Sequence, residues 1–344
     1  MGQSITRRYA FMPPPPSYTA SLPNVWIARP PPATGRIPAL FVDPGAHGAP
    51  PRRAPVTVLY MHGNAEDLGH TRARLARLSA AARVAVLAFD YPGYGLSTGE
   101  APTEAGVVRD AAAAFAYLVR ARGVDPRSIV LHGRSIGSGP AVALAAQLCA
   151  APCPALGCAA PGLLGGLVVE SGVASCVRVV SAAAAHVPYT DVFPNVDRIG
   201  AVTAPVCIVH GARDTTVPVA HAHMLWAATR PAARWRLLVL PAAGHDDIPA
   251  VAPAEWLAAI IDLADTVERR LAPVSPFLPR EPSTATSSAV LHSPASPPVA
   301  GDADGDSDDD EKQHEQQSSP QPPTSSPPTS SPQPQHPQHP HPQH

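Results

Sequence analysis

Six short apolar runs, rich in valine, isoleucine and leucine, recur between residues 56 and 241, and alanine-rich stretches of helical length lie between them. No other feature constrains the fold of this chain as much. Parallel strands need long crossovers, and crossover helices cover both faces of a sheet, so buried strands read as continuous apolar runs. The runs are Val56–His62, Arg83–Tyr91, Ser128–Gly133, Leu167–Ser171, Pro205–Gly211 and Trp235–Pro241. Asn24–Ala28 and Arg36–Val42 are expected to form an N-terminal hairpin ahead of them. Helices are expected over Asp67–Ala81, Glu104–Arg122, Ser135–Ala151, His221–Thr229 and Ala254–Leu271. The fold class is therefore α/β, a mostly parallel eight-stranded sheet with helices on both faces. In such sheets chemistry gathers at the carboxyl ends of the strands.

Gly133-Arg134-Ser135-Ile136-Gly137 falls at one of those ends and spells G-x-S-x-G. Between a strand and a helix this is a nucleophile elbow, whose small flanking residues let a strained serine project its Oγ. A serine hydroxyl is protonated at neutral pH, so a histidine must take its proton and a carboxylate must orient the imidazole. His245 follows the last apolar run on Ala243-Gly244, and Asp214 ends the sequence Val206-Cys-Ile-Val-His-Gly-Ala-Arg213-Asp214. Glu170, closing the preceding strand, is the second choice of acid. His132 and His210 are read as structural, and Asp246 and Asp247 lie too close in sequence to His245 to meet its ring. An oxyanion requires converging backbone N–H donors. Ile136, after the nucleophile, is one, and Asn64 in His62-Gly63-Asn64-Ala65 is the other, with Gly63 permitting the tight approach.

The rest of the chain sets bounds. Its 344 residues include 45 prolines, concentrated at the two ends, which leaves residues 18–271 as the folding domain between an anchor segment 1–17 and a tail 272–344. The net charge of −2 gives no drive toward nucleic acid. Five cysteines in no framework or zinc spacing are read as core or surface thiols in a reducing cytosol, and neither metal nor cofactor is expected. The uncharged stretch Ile136–Val169 resembles a membrane span in part, but prolines and glycines interrupt it. Met1-Gly2-Gln3-Ser4-Ile5-Thr6 matches the N-myristoylation pattern, with Arg7-Arg8 behind it. One such chain binds membranes marginally, at about 10⁴ M⁻¹, so a reversible peripheral attachment to the cytosolic face is expected. The tail is Pro-, Ser-, Gln- and His-rich and is expected to be disordered, with pieces such as Pro320-Gln-Pro-Pro323 suited to a polyproline-reading partner.

Several motifs together resemble the alpha/beta-hydrolase-domain-17 family of protein depalmitoylases. They are His62-Gly-Asn-Ala-Glu-Asp-Leu-Gly69, Asp90-Tyr-Pro-Gly-Tyr-Gly-Leu-Ser-Thr-Gly99, Gly133-Arg-Ser-Ile-Gly137, Asp191-Val-Phe-Pro-Asn195 and Gly244-His-Asp-Asp-Ile248. The opening Phe11-Met-Pro-Pro-Pro-Pro-Ser-Tyr18 is also similar, and the resemblance covers residues 9 to 268. It implies an alpha/beta-hydrolase fold, a triad of Ser135, Asp214 and His245, and thioester hydrolysis of palmitoyl-cysteine on membrane proteins. The chain departs from the family pattern in three places. The N-terminal cysteine cluster is absent, Arg134 stands where glutamine is usual, and Cys149–Gly166 reads as an insertion. The expected substrate is thus an acylated protein or a lipid ester. The other readings of the same residues are a carboxylesterase or lipase, a serine peptidase, and a non-catalytic scaffold with a proline-rich tail.

Overall fold

The structure, a computed structural model, describes residues 10–47, 56–180 and 191–271. The acylation motif at Gly2 and the stretch 272–344, with its polyproline pieces, lie outside the described residues. Eight strands form one sheet: β1 (Val25–Ala28), β2 (Arg36–Val42), β3 (Thr57–Met61), β4 (Ala85–Phe89), β5 (Ile129–Arg134), β6 (Gly166–Glu170), β7 (Val206–Gly211) and β8 (Arg234–Leu240). Their order is β1-β2-β4-β3-β5-β6-β7-β8. The hairpin β1–β2 and its junction with β4 are antiparallel, and all later neighbours run parallel.

The period-two alternation of strand side chains divides the core in two. Leu59, Leu87, Leu131 and Leu167 face one side, against Phe115 of α2 (Glu104–Ala116) and Leu144 of α3 (Ser138–Ala150). Val58, Val86, Val130 and Val168 face the other, against Leu75 of α1 (Leu68–Ala82) and Trp256 and Ile260 of α5 (Pro253–Leu271). A further helix, α4 (Ala220–Ala228), lies on the first side through Ala222 and Leu225. Helices α1 and α2 begin where the sequence supplies a capping side chain. Asp67 accepts the N–H of His70 at 3.1 Å, and Thr103 accepts that of Gly106 at 3.0 Å.

The expected elements all occur, with ends shifted by a few residues. The helix expected to run to Arg122 is regular only to Ala116 and continues as a π-helical turn, Tyr117–Ala121. The elbow helix opens on a 3₁₀ turn, Ser135–Gly137, before α3. The Cys149–Gly166 stretch is pinned to the core by Cys149, Cys153, Cys158 and Leu164, while most of its remaining residues are exposed. Cys153 and Cys158 exchange backbone hydrogen bonds of 2.8 and 3.1 Å, and both side chains are buried. Cys149 and Cys207 are buried as well, so four of the five thiols belong to the interior.

Candidate active site

The elbow's geometry follows from its glycines. Ser135 has a φ of 53°, a left-handed conformation that is costly for a residue with a Cβ. A Cβ on Gly133 would lie 2.4 Å from the carbonyl oxygen of Gly137, and one on Gly137 would lie 2.2 Å from that of Met61. Only hydrogen fits at either position. The backbone therefore turns sharply enough at the end of β5 to hold Ser135 above the sheet. Ser138 secures the turn by donating its hydroxyl to the Ser135 carbonyl at 2.6 Å.

His245 reaches this serine from the loop after β8. Its Nε2 is 3.0 Å from Ser135 Oγ, and its Nδ1 is 2.7 Å from Asp214 Oδ2. The three expected side chains thus meet, although they lie 110 and 31 residues apart. Asp214 is anchored by its other oxygen, which accepts the N–H groups of Thr216 and Val217 at 2.9 and 2.7 Å. Burial raises the cost of its charge, but His210, His245 and the Val217 N–H outweigh that and hold the carboxyl well below the usual carboxylate range. The anion needed to orient an imidazolium is therefore present at neutral pH.

The second-choice acid is occupied elsewhere. Glu170 accepts Trp256 Nε1 at 2.9 Å and lies 3.0 Å from His132 Nε2, while Arg74 holds its other oxygen at 2.8 Å. His132 is buried, as a structural residue would be. His210 is buried too, but it lies beside the candidate acid, with Nε2 2.8 Å from the Val217 carbonyl and 3.3 Å from Asp214 Oδ2. Reading it from sequence as a strand-end histidine missed that proximity.

The loop carrying Asn64 leaves β3 beside the elbow, since Met61 pairs with Gly133. Tyr91 and Tyr94, from Asp90-Tyr-Pro-Gly-Tyr, brace it. Tyr91 donates to the His62 carbonyl at 2.7 Å and Tyr94 to Asn64 Oδ1 at 2.6 Å. Asp90 itself accepts the N–H of Leu68 at 3.0 Å and the hydroxyl of Tyr18. The N-terminal strap arrives at the same place, where the Met12 N–H donates to Asn64 Oδ1 at 2.8 Å. Phe11 is buried edge-on to Phe193, with ring centroids 5.9 Å apart, and the Phe193 ring occupies the space above Gly139 that a Cβ would fill. Ile136, next to Ser135, is buried.

Arg134 went unremarked as a site residue. Its side chain is only 4% exposed, and its nitrogens lie 2.9 Å from Glu66 and against Asp246. Among the described residues, no group of three or more His, Cys, Asp or Glu is arranged to hold a metal ion. No helix of the described residues is long and apolar enough to cross a membrane.

Known proteins resemble this arrangement at several levels. A family model described as "Serine aminopeptidase, S33" matches residues 52–192. Human alpha/beta hydrolase domain-containing protein 17B is 32% identical over 196 residues, 57% of this chain and 62% of that protein. The Caenorhabditis elegans alpha/beta hydrolase domain-containing protein aho-3 is 30% identical over 301 residues, 79% of this chain and 82% of its own length. The chain spans 56% of the Xenopus tropicalis 17C relative, at 34% identity. Among solved structures, the Pyrococcus furiosus esterase Pf2001 superposes with a TM-score of 0.57 at 17% identity, covering 74% of this chain and 99% of that one. That likeness concerns the fold alone.

Proposed function

The chain belongs to the alpha/beta hydrolase domain-containing protein 17 family and is a hydrolase of the alpha/beta fold, and from that premise we propose that it is a serine hydrolase cleaving acyl thioesters or esters, with palmitoyl-cysteine as its substrate class. The observation that carries this reading is the continuous hydrogen-bonded line from Ser135 Oγ through His245 to Asp214, with the serine held at a positive φ.

In the proposed reaction His245 Nε2 takes the Ser135 proton as Oγ attacks the acyl carbonyl carbon. The imidazolium so formed keeps its Nδ1–H on Asp214 Oδ2. The N–H groups of Ile136 and Asn64 receive the oxyanion, where each such donor is worth about 10²–10³ in rate. Collapse breaks the carbon–sulfur or carbon–oxygen bond, and His245 returns its proton to the departing thiolate or alkoxide. Water then gives a proton to His245 and attacks the acyl-enzyme, releasing fatty acid and restoring the serine. No cofactor is needed for any of these steps.

A myristoyl group on Gly2, aided by Arg7 and Arg8, would hold the protein at the cytosolic face, where acylated substrates also reside. The proline-rich tail would be free to dock a polyproline-reading partner. One observation favours a second reading, a serine peptidase: the aminopeptidase description of the family model that matches residues 52–192. Turnover of matched palmitoyl-thioester, short-chain ester and peptide substrates decides between them. The expected result is hydrolysis of the thioester in preference to the peptide, lost in Ser135→Ala together with fluorophosphonate labelling. Equal turnover by Ser135→Ala would sink the proposal, and absent turnover and labelling in the folded wild type would favour the scaffold.

A further inference from the structure

Two loops beside the nucleophile elbow supply part of the proposed machinery, and one guanidinium touches both. Arg134 is the last residue of β5 and sits immediately before Ser135. One terminal nitrogen lies 2.9 Å from Glu66 Oε1 in the loop that carries Asn64. Glu66 turns its other oxygen inward, where it accepts the Gly63 N–H at 2.8 Å and closes the turn 63–66. The other terminal nitrogen pairs with Asp246 and donates to the His245 carbonyl at 3.4 Å, in the loop that carries the imidazole. Ser171 donates to that same carbonyl at 3.3 Å. The guanidinium lies so close to the first loop that a Cβ on Gly63 would come within 2.6 Å of it.

We infer that Arg134 is a positioning residue that clamps the Asn64 loop and the His245 loop to the nucleophile elbow. The inference rests on the reading of Ser135 as nucleophile. The competing role is neutralisation of buried Glu170. Arg134 Nε is 3.9 Å from that carboxylate, beyond hydrogen-bonding reach, and Arg74 and His132 already hold Glu170 at 2.8 and 3.0 Å. Both ends of the Arg134 fork point instead to the loops that carry Asn64 and His245. Arginine suits this task because its planar fork can serve two carboxylates in fixed directions, whereas lysine offers a single point charge. Displacing a reacting group by about 1 Å can cost on the order of 10²-fold in rate.

The test compares wild type, Arg134→Lys, Glu66→Gln and Asp246→Asn on a soluble short-chain ester, with melting temperature, kcat, KM and fluorophosphonate labelling rate measured for each. Arg134→Lys keeps the charge near Glu170 but cannot span both loops. It is expected to melt within a few degrees of wild type and to lose about 10- to 100-fold in kcat and labelling rate, with KM within about twofold. Each single-leg variant is expected to lose about tenfold in kcat. Asp246, whose side chain is 81% exposed, is a partner that can be removed without opening the core. A folded Arg134→Lys protein with kcat within twofold of wild type overturns the clamp. Should Arg134→Lys not fold, unchanged kcat in both Glu66→Gln and Asp246→Asn overturns it instead. A folded wild type that neither labels nor turns over ester would fail the serine-hydrolase reading rather than the clamp.

Discussion

At the scale of single residues, the site depends on places where no Cβ can go. Ser135 adopts its positive φ because Gly133 and Gly137 let the strand and the following turn approach within contact of the β3 loop. Placing a methyl group 2.2 Å from the Met61 carbonyl must push the elbow away from β3. Gly137→Ala is therefore expected to cost about 1–3 kcal/mol in urea denaturation. Its kcat on a short ester should fall by more than that destabilisation accounts for, because Ser135 moves away from His245. A variant with wild-type kcat would show that the elbow tolerates the displacement. Two further residues act here through what they touch. His210 stands against Asp214 although nothing in its local sequence announces this, and Glu170, the second choice of acid by its place at a strand end, is committed to Arg74, His132 and Trp256.

At the scale of elements, the strap formed by residues 10–18 is the least regular part of the site and the most closely tied to it. Phe11 packs on Phe193, the Met12 N–H bonds Asn64, Ser17 meets the α1 cap Asp67 with its N–H at 2.7 Å, and Tyr18 meets Asp90. Four anchors in so short a segment make it a brace for the Asn64 loop as well as a lead-in to the sheet. Phe11→Ala is expected to destabilise by about 3 kcal/mol through the lost ring. It should also lower kcat on a soluble ester, where membrane attachment is irrelevant. Unchanged kcat alongside the lost stability would limit the strap to a structural role. The apolar runs and caps that define strands and helices are local signals, so these elements were legible in the sequence to within a few residues. The strap was not, because a run of prolines carries no periodicity and its hydrogen-bond partners lie 50 to 82 residues away.

At the scale of the whole molecule, a buried charge cluster joins elements that the chain connects only distantly. Glu170 at the end of β6 meets Arg74 of α1, His132 of β5 and Trp256 of α5. Burial opposes its ionisation, but Arg74, His132 and Arg134 outweigh burial and hold its pKa well below the usual carboxylate range, as happens at Asp214. A carboxyl whose folded pKa lies below its unfolded value stabilises the fold fully above the unfolded value, about 4, and loses that contribution as pH falls toward the folded one. Urea stability should accordingly hold from neutral pH to about 5 and fall steeply below about 4. Glu170→Gln should flatten that fall and cost about 3 kcal/mol at pH 7, because it leaves the partly buried Arg74 without its partner. An acid profile unchanged by the substitution would remove Glu170 from the account.

By itself the sequence determined the period and polarity of each element, and hence the class of fold. It also determined which serine could sit on a strained turn, because glycine spacing, apolar runs and caps act over a few residues. Tertiary structure decided which distant groups meet. Asp214 rather than Glu170 faces His245, His210 backs the acid, and Arg134 reaches both neighbouring loops, since each pairing depends on strand order and loop path. Apart from His210 and Asp214, four residues apart, such contacts form between residues 31 to 112 positions apart, where no local signal distinguishes one partner from another.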